Sequence, residues 1–228
     1  ELDTVSGVEI VIGSGTNDYI SLANTGMTVT GGTGNDVIVL NSGVDKVTFT
    51  TIADAAAATT ITSTTATTDD YTVVAGTALA SVTTDYIDNF TTGTDKIVIS
   101  GALRTALNAV GSTDDTAVAL ADNAVLDTDN GTVIIFHTDD DLAGDDFGDL
   151  SVMQLSIDTV NSGTPANGSN NNELIYALGN NSGTEYALYY IKDVNGAADE
   201  GILAANDIFT LLAVIDTPTL AAADFLFA

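Results

Sequence analysis

Aliphatic residues recur every nine positions through the first fifty residues, at Val11, Ile20, Val29, Ile38 and Val47. Most of them follow an acidic residue by two positions, and these earlier positions are Glu9, Asp18, Met27, Asp36 and Asp45. A repeat of this kind decides the architecture before any local motif does. It predicts short parallel strands separated by tight turns, with each coil burying its aliphatic side chains against the next.

The most complete copy of the repeat is Gly31–Val39, which reads Gly-Gly-Thr-Gly-Asn-Asp-Val-Ile-Val. It resembles the RTX nonapeptide of type I secreted bacterial proteins, Gly-Gly-x-Gly-x-Asp-x-aliphatic-x. The resemblance implies that six residues of each unit form a calcium-binding turn and three form a strand. Two units then make one coil of a right-handed parallel β-roll.

Calcium also follows from the residue types. Carboxylates and main-chain carbonyls are hard oxygen donors, and Ca²⁺ takes several of them at ~2.3–2.6 Å. Turns one coil apart should stack on one edge, which makes Asp18 and Asp36 the best pair of ligands. The glycines of these two turns are Gly13, Gly15, Gly31, Gly32 and Gly34. A glycine-rich turn without an ion is the alternative.

On the opposite edge of the coils we expect a weaker or incomplete calcium site. Its turns carry Glu9, Met27 and, after Gly43, Asp45. Met27 has no side-chain oxygen, so it interrupts this series of possible ligands. A glycine-rich β-solenoid turn without an ion is the alternative there as well.

Two later stretches add candidate ligands. Asp85–Ile99 resembles the closing coils of RTX rolls, which implies Asp88 and Asp95 as ligands, although a hairpin with solvated acids would have the same pattern. Asp193–Asp207 is similar to an EF-hand or dockerin-type loop with a three-residue insertion. Its candidate ligands are Asp193, Asn195, Glu200 and Asp207.

The remaining patterns complete a predicted all-β fold. An RTX-type parallel β-roll or β-solenoid over residues 1–100, with a Thr- and Ala-rich insertion at about 51–84, precedes a mostly antiparallel β-region with little helix over 101–228. Leu103 and Leu107 predict a short helix between glycines, and strand patterns return from Glu173 onward. The apolar tail after Ile208 resembles a C-terminal type I secretion signal.

Charge narrows the function classes. Asp and Glu number 32 against 4 Lys and Arg, a formal charge of −28, and cysteine is absent. This composition offers no basic face for nucleic acid or anionic lipid, and no disulfides or thiolate metal sites. No apolar segment has the length of a membrane span. We therefore expect no nucleic-acid partner and no membrane insertion, and we expect Ca²⁺ to neutralise the carboxylates.

Catalytic motifs are missing as well. The chain has one histidine and neither a Gly-x-Ser-x-Gly nor a His-Glu-x-x-His motif, so we predict that it is not an enzyme. We expect a secreted, calcium-dependent structural protein that self-assembles into a surface layer or filament as a homo-oligomer. Other parts of a longer chain would contact cell-surface polysaccharide. The alternatives are a calcium-binding folding and secretion module of a larger RTX adhesin or enzyme, and an ice-binding or adhesive module.

Overall fold

The computed structural model of the chain describes residues 8–22, 26–54, 84–107, 117–120, 133–136, 173–179, 183–192 and 208–228. Within these ranges thirteen strands form two sheets. The strands are β1 (Ile10–Ile12), β2 (Tyr19–Ser21), β3 (Thr28–Thr30), β4 (Val37–Val39), β5 (Lys46–Phe49), β6 (Asp85–Asp88), β7 (Lys96–Ile99), β8 (Ala117–Leu120), β9 (Val133–Phe136), β10 (Glu173–Gly179), β11 (Glu185–Lys192), β12 (Ile208–Asp216) and β13 (Phe225–Phe227). Helix α1 spans Gly101–Leu107, and single 3₁₀ turns span Ile52–Asp54 and Ala222–Asp224.

Successive repeats alternate between the two sheets. The five-stranded sheet has the order β1-β3-β5-β7-β13, and the eight-stranded sheet has the order β2-β4-β6-β12-β11-β10-β9-β8. Partner strands in the repeat are eighteen residues apart, as the pairs Val11–Val29 and Ile20–Ile38 show. The stacking at eighteen-residue steps predicted from the repeat is therefore confirmed.

The core lies between the two sheets. Alternate residues of a strand point inward, because side chains alternate between the two faces of a strand. These inward residues include Val29, Val47 and Ile97 from the five-stranded sheet and Ile38, Ile87 and Ile215 from the eight-stranded sheet, and all belong to one buried apolar cluster. The aliphatic series of the repeat is therefore the series that fills the core.

The predicted fold class is wrong, because the strands are arranged in the sheets differently from the prediction. The eight-stranded sheet is mixed and resembles that of an α/β protein, rather than an RTX-type roll followed by a mostly antiparallel region. Among the described strands only β10–β11 and β11–β12 are antiparallel pairs. The pairs β8–β9, β9–β10, β6–β12 and β7–β13 are parallel. Strands distant in sequence pair directly, and a local repeat carries no information about such partners.

Other predictions concern single elements. The short helix is confirmed as α1, in which Leu103 and Leu107 are buried. The strands predicted after Glu173 are β10 and β11. Most of the predicted insertion, the histidine and the loop at 193–207 lie outside the described residues, and the boundary at residue 100 stays a prediction. The part of the chain that the structure describes contains no helix long and apolar enough to cross a membrane.

Candidate metal centre

Aspartates form two columns, each running from strand to strand across one sheet at the starts of its strands. One column, on the eight-stranded sheet, consists of Asp18, Asp36 and Asp85, each at or directly beside the first residue of a strand. The main-chain N–H of Asp18 donates to Oδ1 of Asp36 at 2.8 Å, and that of Asp36 donates to Oδ1 of Asp85 at 2.9 Å. The carboxylates of Asp36 and Asp85 therefore each tie their own turn to the turn of the coil before it.

The second column, on the five-stranded sheet, contains Asp45 and Asp95. The N–H of Met27 donates to Oδ1 of Asp45 at 2.8 Å, and the N–H of Asp45 donates to Oδ1 of Asp95 at 3.0 Å. Both second oxygens also have partners, because Asn41 N–H donates to Oδ2 of Asp45 at 3.3 Å and Thr91 N–H donates to Oδ2 of Asp95 at 2.8 Å. Main-chain N–H groups therefore provide hydrogen bonds to both carboxylate oxygens of Asp45 and of Asp95.

Asp36 differs from every other aspartate in the described part of the chain. Its side chain is fully buried, and its Oδ2 has no hydrogen-bond partner. The corresponding oxygen of Asp18 accepts bonds from the N–H of Ser14 at 2.6 Å and from the Ser14 hydroxyl at 2.8 Å. A buried carboxylate oxygen without a donor is costly, so it needs a proton or a cation.

The turns around Asp36 leave space for glycine alone. Gly32 has φ +104°, and a Cβ on it would overlap the carbonyl oxygen of Ser14 in the neighbouring turn. A Cβ on Gly13 would likewise overlap the carbonyl oxygen of Gly31, and one on Gly31 would overlap Oδ2 of Asp36. The absence of side chains at these three glycines therefore lets the two turns and the Asp36 carboxylate pack closely together.

This set of donors fits calcium. Asp18 and Asp36 carry carboxylates at these two turns, and the carbonyl oxygens of Ser14 and Gly31 lie where the turns approach each other, that of Ser14 also accepting a hydrogen bond from the Thr33 N–H at 3.1 Å. Ca²⁺ accepts such a mixture of hard oxygen ligands. Within the described ranges no three acidic, histidine or cysteine side chains converge on one point. An ion here would therefore take part of its ligands from the main chain.

Burial sets the electrostatics of the site. It raises the pKa of Asp36 to about 6, and the neighbouring charge of Asp18 adds to this effect, although the hydrogen bond from the Asp18 N–H opposes it. Burial also raises the pKa of Asp45 and, well above its usual range, that of Asp85. A carboxyl whose pKa is raised by folding binds its proton more tightly in the fold. The metal-free fold should therefore lose stability as the pH rises from about 4 through about 6.

The other predicted ligands have varied positions. Glu9 is exposed, and its main-chain oxygen accepts a hydrogen bond from Thr28. Gly43 has φ +128° in the turn before Asp45, and Gly34 has φ +135°. A Cβ on Gly15 would lie 3.3 Å from the Thr33 hydroxyl. Asp193, Asn195, Glu200 and Asp207 lie outside the described residues.

Asp88 lies away from both columns. It is the last residue of β6 and is in register with Val39 of β4. Burial raises the pKa of its neighbour Asp216, and the Asp88 carboxylate raises it further. The structure places Asp95 in the column of Asp45 and places Asp85 beside Asp36, and calcium binding by Asp88 and Asp95 stays a prediction.

The sequence analysis did not identify two buried aspartates, Asp85 and Asp224. Asp85 begins an Asp-Tyr-Ile sequence identical to that at Asp18, and this spacing could have identified it. Asp224 is fully buried and accepts hydrogen bonds from Gly93 N–H at 2.7 Å and Ala221 N–H at 2.9 Å. It also pairs with Lys96, with Nζ 3.6 Å from Oδ1. No sequence signal links Asp224 to the repeat.

No protein-family model and no curated protein matches the chain. The relation to RTX proteins therefore stays a prediction that rests on the repeat.

Proposed function

We propose that this chain is a calcium-dependent extracellular structural protein that self-assembles into a surface layer or filament. The observation that carries the proposal is the buried carboxylate of Asp36, whose Oδ2 has no hydrogen-bond partner and lies against Gly31 of the glycine turn. A divalent cation would neutralise this group and also bind the carbonyl oxygens of the neighbouring turn. The RTX-like repeat and the formal charge of −28 support the choice of calcium.

Calcium would couple secretion to folding. At the low calcium concentration inside a cell, repulsion among 32 acidic side chains opposes compaction and keeps the chain suitable for type I export. Outside the cell, bound calcium neutralises the buried carboxylates, and its binding free energy becomes folding free energy. The ordered chain then presents rigid sheet edges for assembly.

The residues of the site have separate tasks. Asp36 supplies the buried charge that requires a cation, and Asp18 supplies the second carboxylate one coil earlier. The glycines at 13, 31 and 32 let the two turns approach closely enough for carbonyl oxygens to lie between them. When bound, calcium supplies positive charge that links the turns.

Chelation should lower the stability of the folded chain strongly. At a free calcium concentration of 100 times Kd, the loss should be roughly 2.7 kcal/mol per site, and more where several sites bind. Thermal unfolding followed by circular dichroism, with calcium and with chelator, measures this loss. Magnesium and sodium chloride at matched ionic strength are the controls, because they screen charge but do not supply calcium's coordination. Equal melting temperatures with calcium and chelator would contradict the proposal.

A measurement of assembly distinguishes the proposed structural protein from the alternative, a folding and secretion module. Sedimentation and electron microscopy should show polymers in calcium and monomers in chelator. A chain that binds calcium, gains stability and stays monomeric would instead be a module of a larger adhesin or enzyme.

A further inference from the structure

The aspartate column of the five-stranded sheet continues by one residue beyond Asp95. Asp224 directly precedes β13, just as Asp45 precedes β5 and Asp95 precedes β7. Strand β13 pairs with β7, and the side chains of all three aspartates are fully buried. The five-stranded column therefore consists of Asp45, Asp95 and Asp224, and the eight-stranded column consists of Asp18, Asp36 and Asp85.

Every carboxylate oxygen of the five-stranded column has a hydrogen-bond donor. The oxygens of Asp45 and Asp95 accept four main-chain N–H bonds, and those of Asp224 accept two more, at 2.7 and 2.9 Å. Burial raises the pKa of Asp45, and its two N–H bonds oppose this rise. The protein itself therefore stabilises these carboxylates, whereas Oδ2 of Asp36 in the eight-stranded column has no partner.

Lysines directly follow two aspartates of the five-stranded column. The sequence reads Asp45-Lys46 and Asp95-Lys96, whereas an aliphatic or aromatic residue follows each aspartate of the eight-stranded column. Nζ of Lys96 lies 3.6 Å from Oδ1 of Asp224, and Lys46 is in register with Lys96 on the neighbouring strand. Two of the four basic residues in the whole chain thus accompany this column. Their positive charge favours ionised carboxylates, as a bound cation would.

We propose that the chain responds to calcium in two parts: the five-stranded column is ordered without the ion, and the turns of the eight-stranded column become ordered when calcium binds beside Asp36. This inference rests on the proposed function, which places the ion at Asp36. Charge repulsion then loosens the metal-free chain mainly at the eight-stranded column, where the buried carboxylate has no neutralising group. Because one row of turns is already ordered, fewer residues lose conformational entropy when calcium binds.

Amide hydrogen exchange of the wild-type chain, with calcium and with chelator, tests this division. The N–H groups of Met27, Asp45 and Gly93 donate to the five-stranded column. Those of Asp18 and Asp36 donate to the eight-stranded column. In chelator, the first set should exchange at least about tenfold more slowly than the second after correction for intrinsic rates, because exchange reports local opening. Calcium should slow the second set at least about tenfold and the first set less.

Lysine substitutions test the contribution of the positive charge. Lys96→Gln removes the ammonium beside the buried Asp224 carboxylate, so the Gly93 N–H should exchange at least about tenfold faster in chelator. Lys46→Gln makes the same change of net charge at an exposed side chain and should leave that rate within about twofold. Calcium should not restore slow exchange at Gly93 in Lys96→Gln, because the ion binds at the other column.

The exchange rates distinguish failure of this inference from failure of the proposed function. Slow exchange at the five-stranded column in chelator, lost in Lys96→Gln and kept in Lys46→Gln, would support the inference. Equal exchange at both columns in chelator, or equal effects of the two lysine substitutions, would overturn it, and the proposed function would stand where calcium still slows exchange. Exchange that calcium leaves unchanged at both columns would overturn the proposed function and this inference together.

Discussion

Replacing Gly32 by alanine should destabilise the calcium-bound chain by about 3 kcal/mol or more, whereas the same change at Gly93 should cost about 1 kcal/mol. Both glycines have positive φ, +104° at Gly32 and +79° at Gly93, so both substitutions carry backbone strain. A Cβ on Gly32 would also overlap the Ser14 carbonyl oxygen, while nothing lies within 4 Å of one on Gly93. The difference isolates the close approach of the two turns.

Calcium titrations followed by thermal unfolding measure both effects. Gly32→Ala should lose most of the calcium-dependent rise in melting temperature, because the separated turns no longer share their oxygen donors. Gly93→Ala should retain that rise from a slightly lower starting temperature. Equal calcium dependence in the two variants would show that close packing of these turns is not needed for binding.

Asp36→Asn should have opposite effects in the absence and presence of calcium. At pH 7 without calcium it removes a buried charge and should stabilise the chain on the order of 2 kcal/mol, at roughly 1.4 kcal/mol per unit of pKa shift. With calcium it should be the less stable protein, because it lacks the carboxylate that binds the ion. The metal-free advantage should shrink as the pH falls from 7 to 5, since wild-type Asp36, with a pKa of about 6, becomes protonated and neutral.

Asp45→Asn is the matched control. Both carboxylate oxygens of Asp45 accept main-chain N–H bonds, so an amide there would place its NH₂ group against a donor. This variant should be less stable with and without calcium and should keep most of the calcium-dependent gain. Urea unfolding at pH 5 and at pH 7, each with and without calcium, measures the free energy of unfolding of wild type and both variants. A metal-free Asp36→Asn protein less stable than wild type at pH 7 would contradict the assignment of Asp36 as a destabilising charge.

The nine-residue period predicted what depends on local order. It identified the inward residues Val29 and Ile38, the eighteen-residue offset between partner strands, and the contact between the turns of Asp18 and Asp36. Strand spacing and side-chain alternation act within a few residues, so the sequence pattern carries them directly.

Long-range pairing was beyond the same reasoning. The Asp36 N–H donates to Asp85 across a separation of 49 residues, so counting in steps of nine did not lead from one to the other. The parallel addition of β12 to β6 and of β13 to β7 depends on matching apolar surfaces and free edges rather than on a period. The unpartnered oxygen of Asp36 was equally hidden, since the hydrogen-bond partners of a carboxylate depend on how the turns of neighbouring coils pack.

A crystal structure of the chain grown in calcium, with an anomalous difference map, tests the central claim most directly. We expect an anomalous peak between the turns of Gly13–Asp18 and Gly31–Asp36, within about 2.3–2.6 Å of Oδ2 of Asp36 and of main-chain carbonyl oxygens. Ordered turns with no peak there, at millimolar calcium and neutral pH, would contradict it.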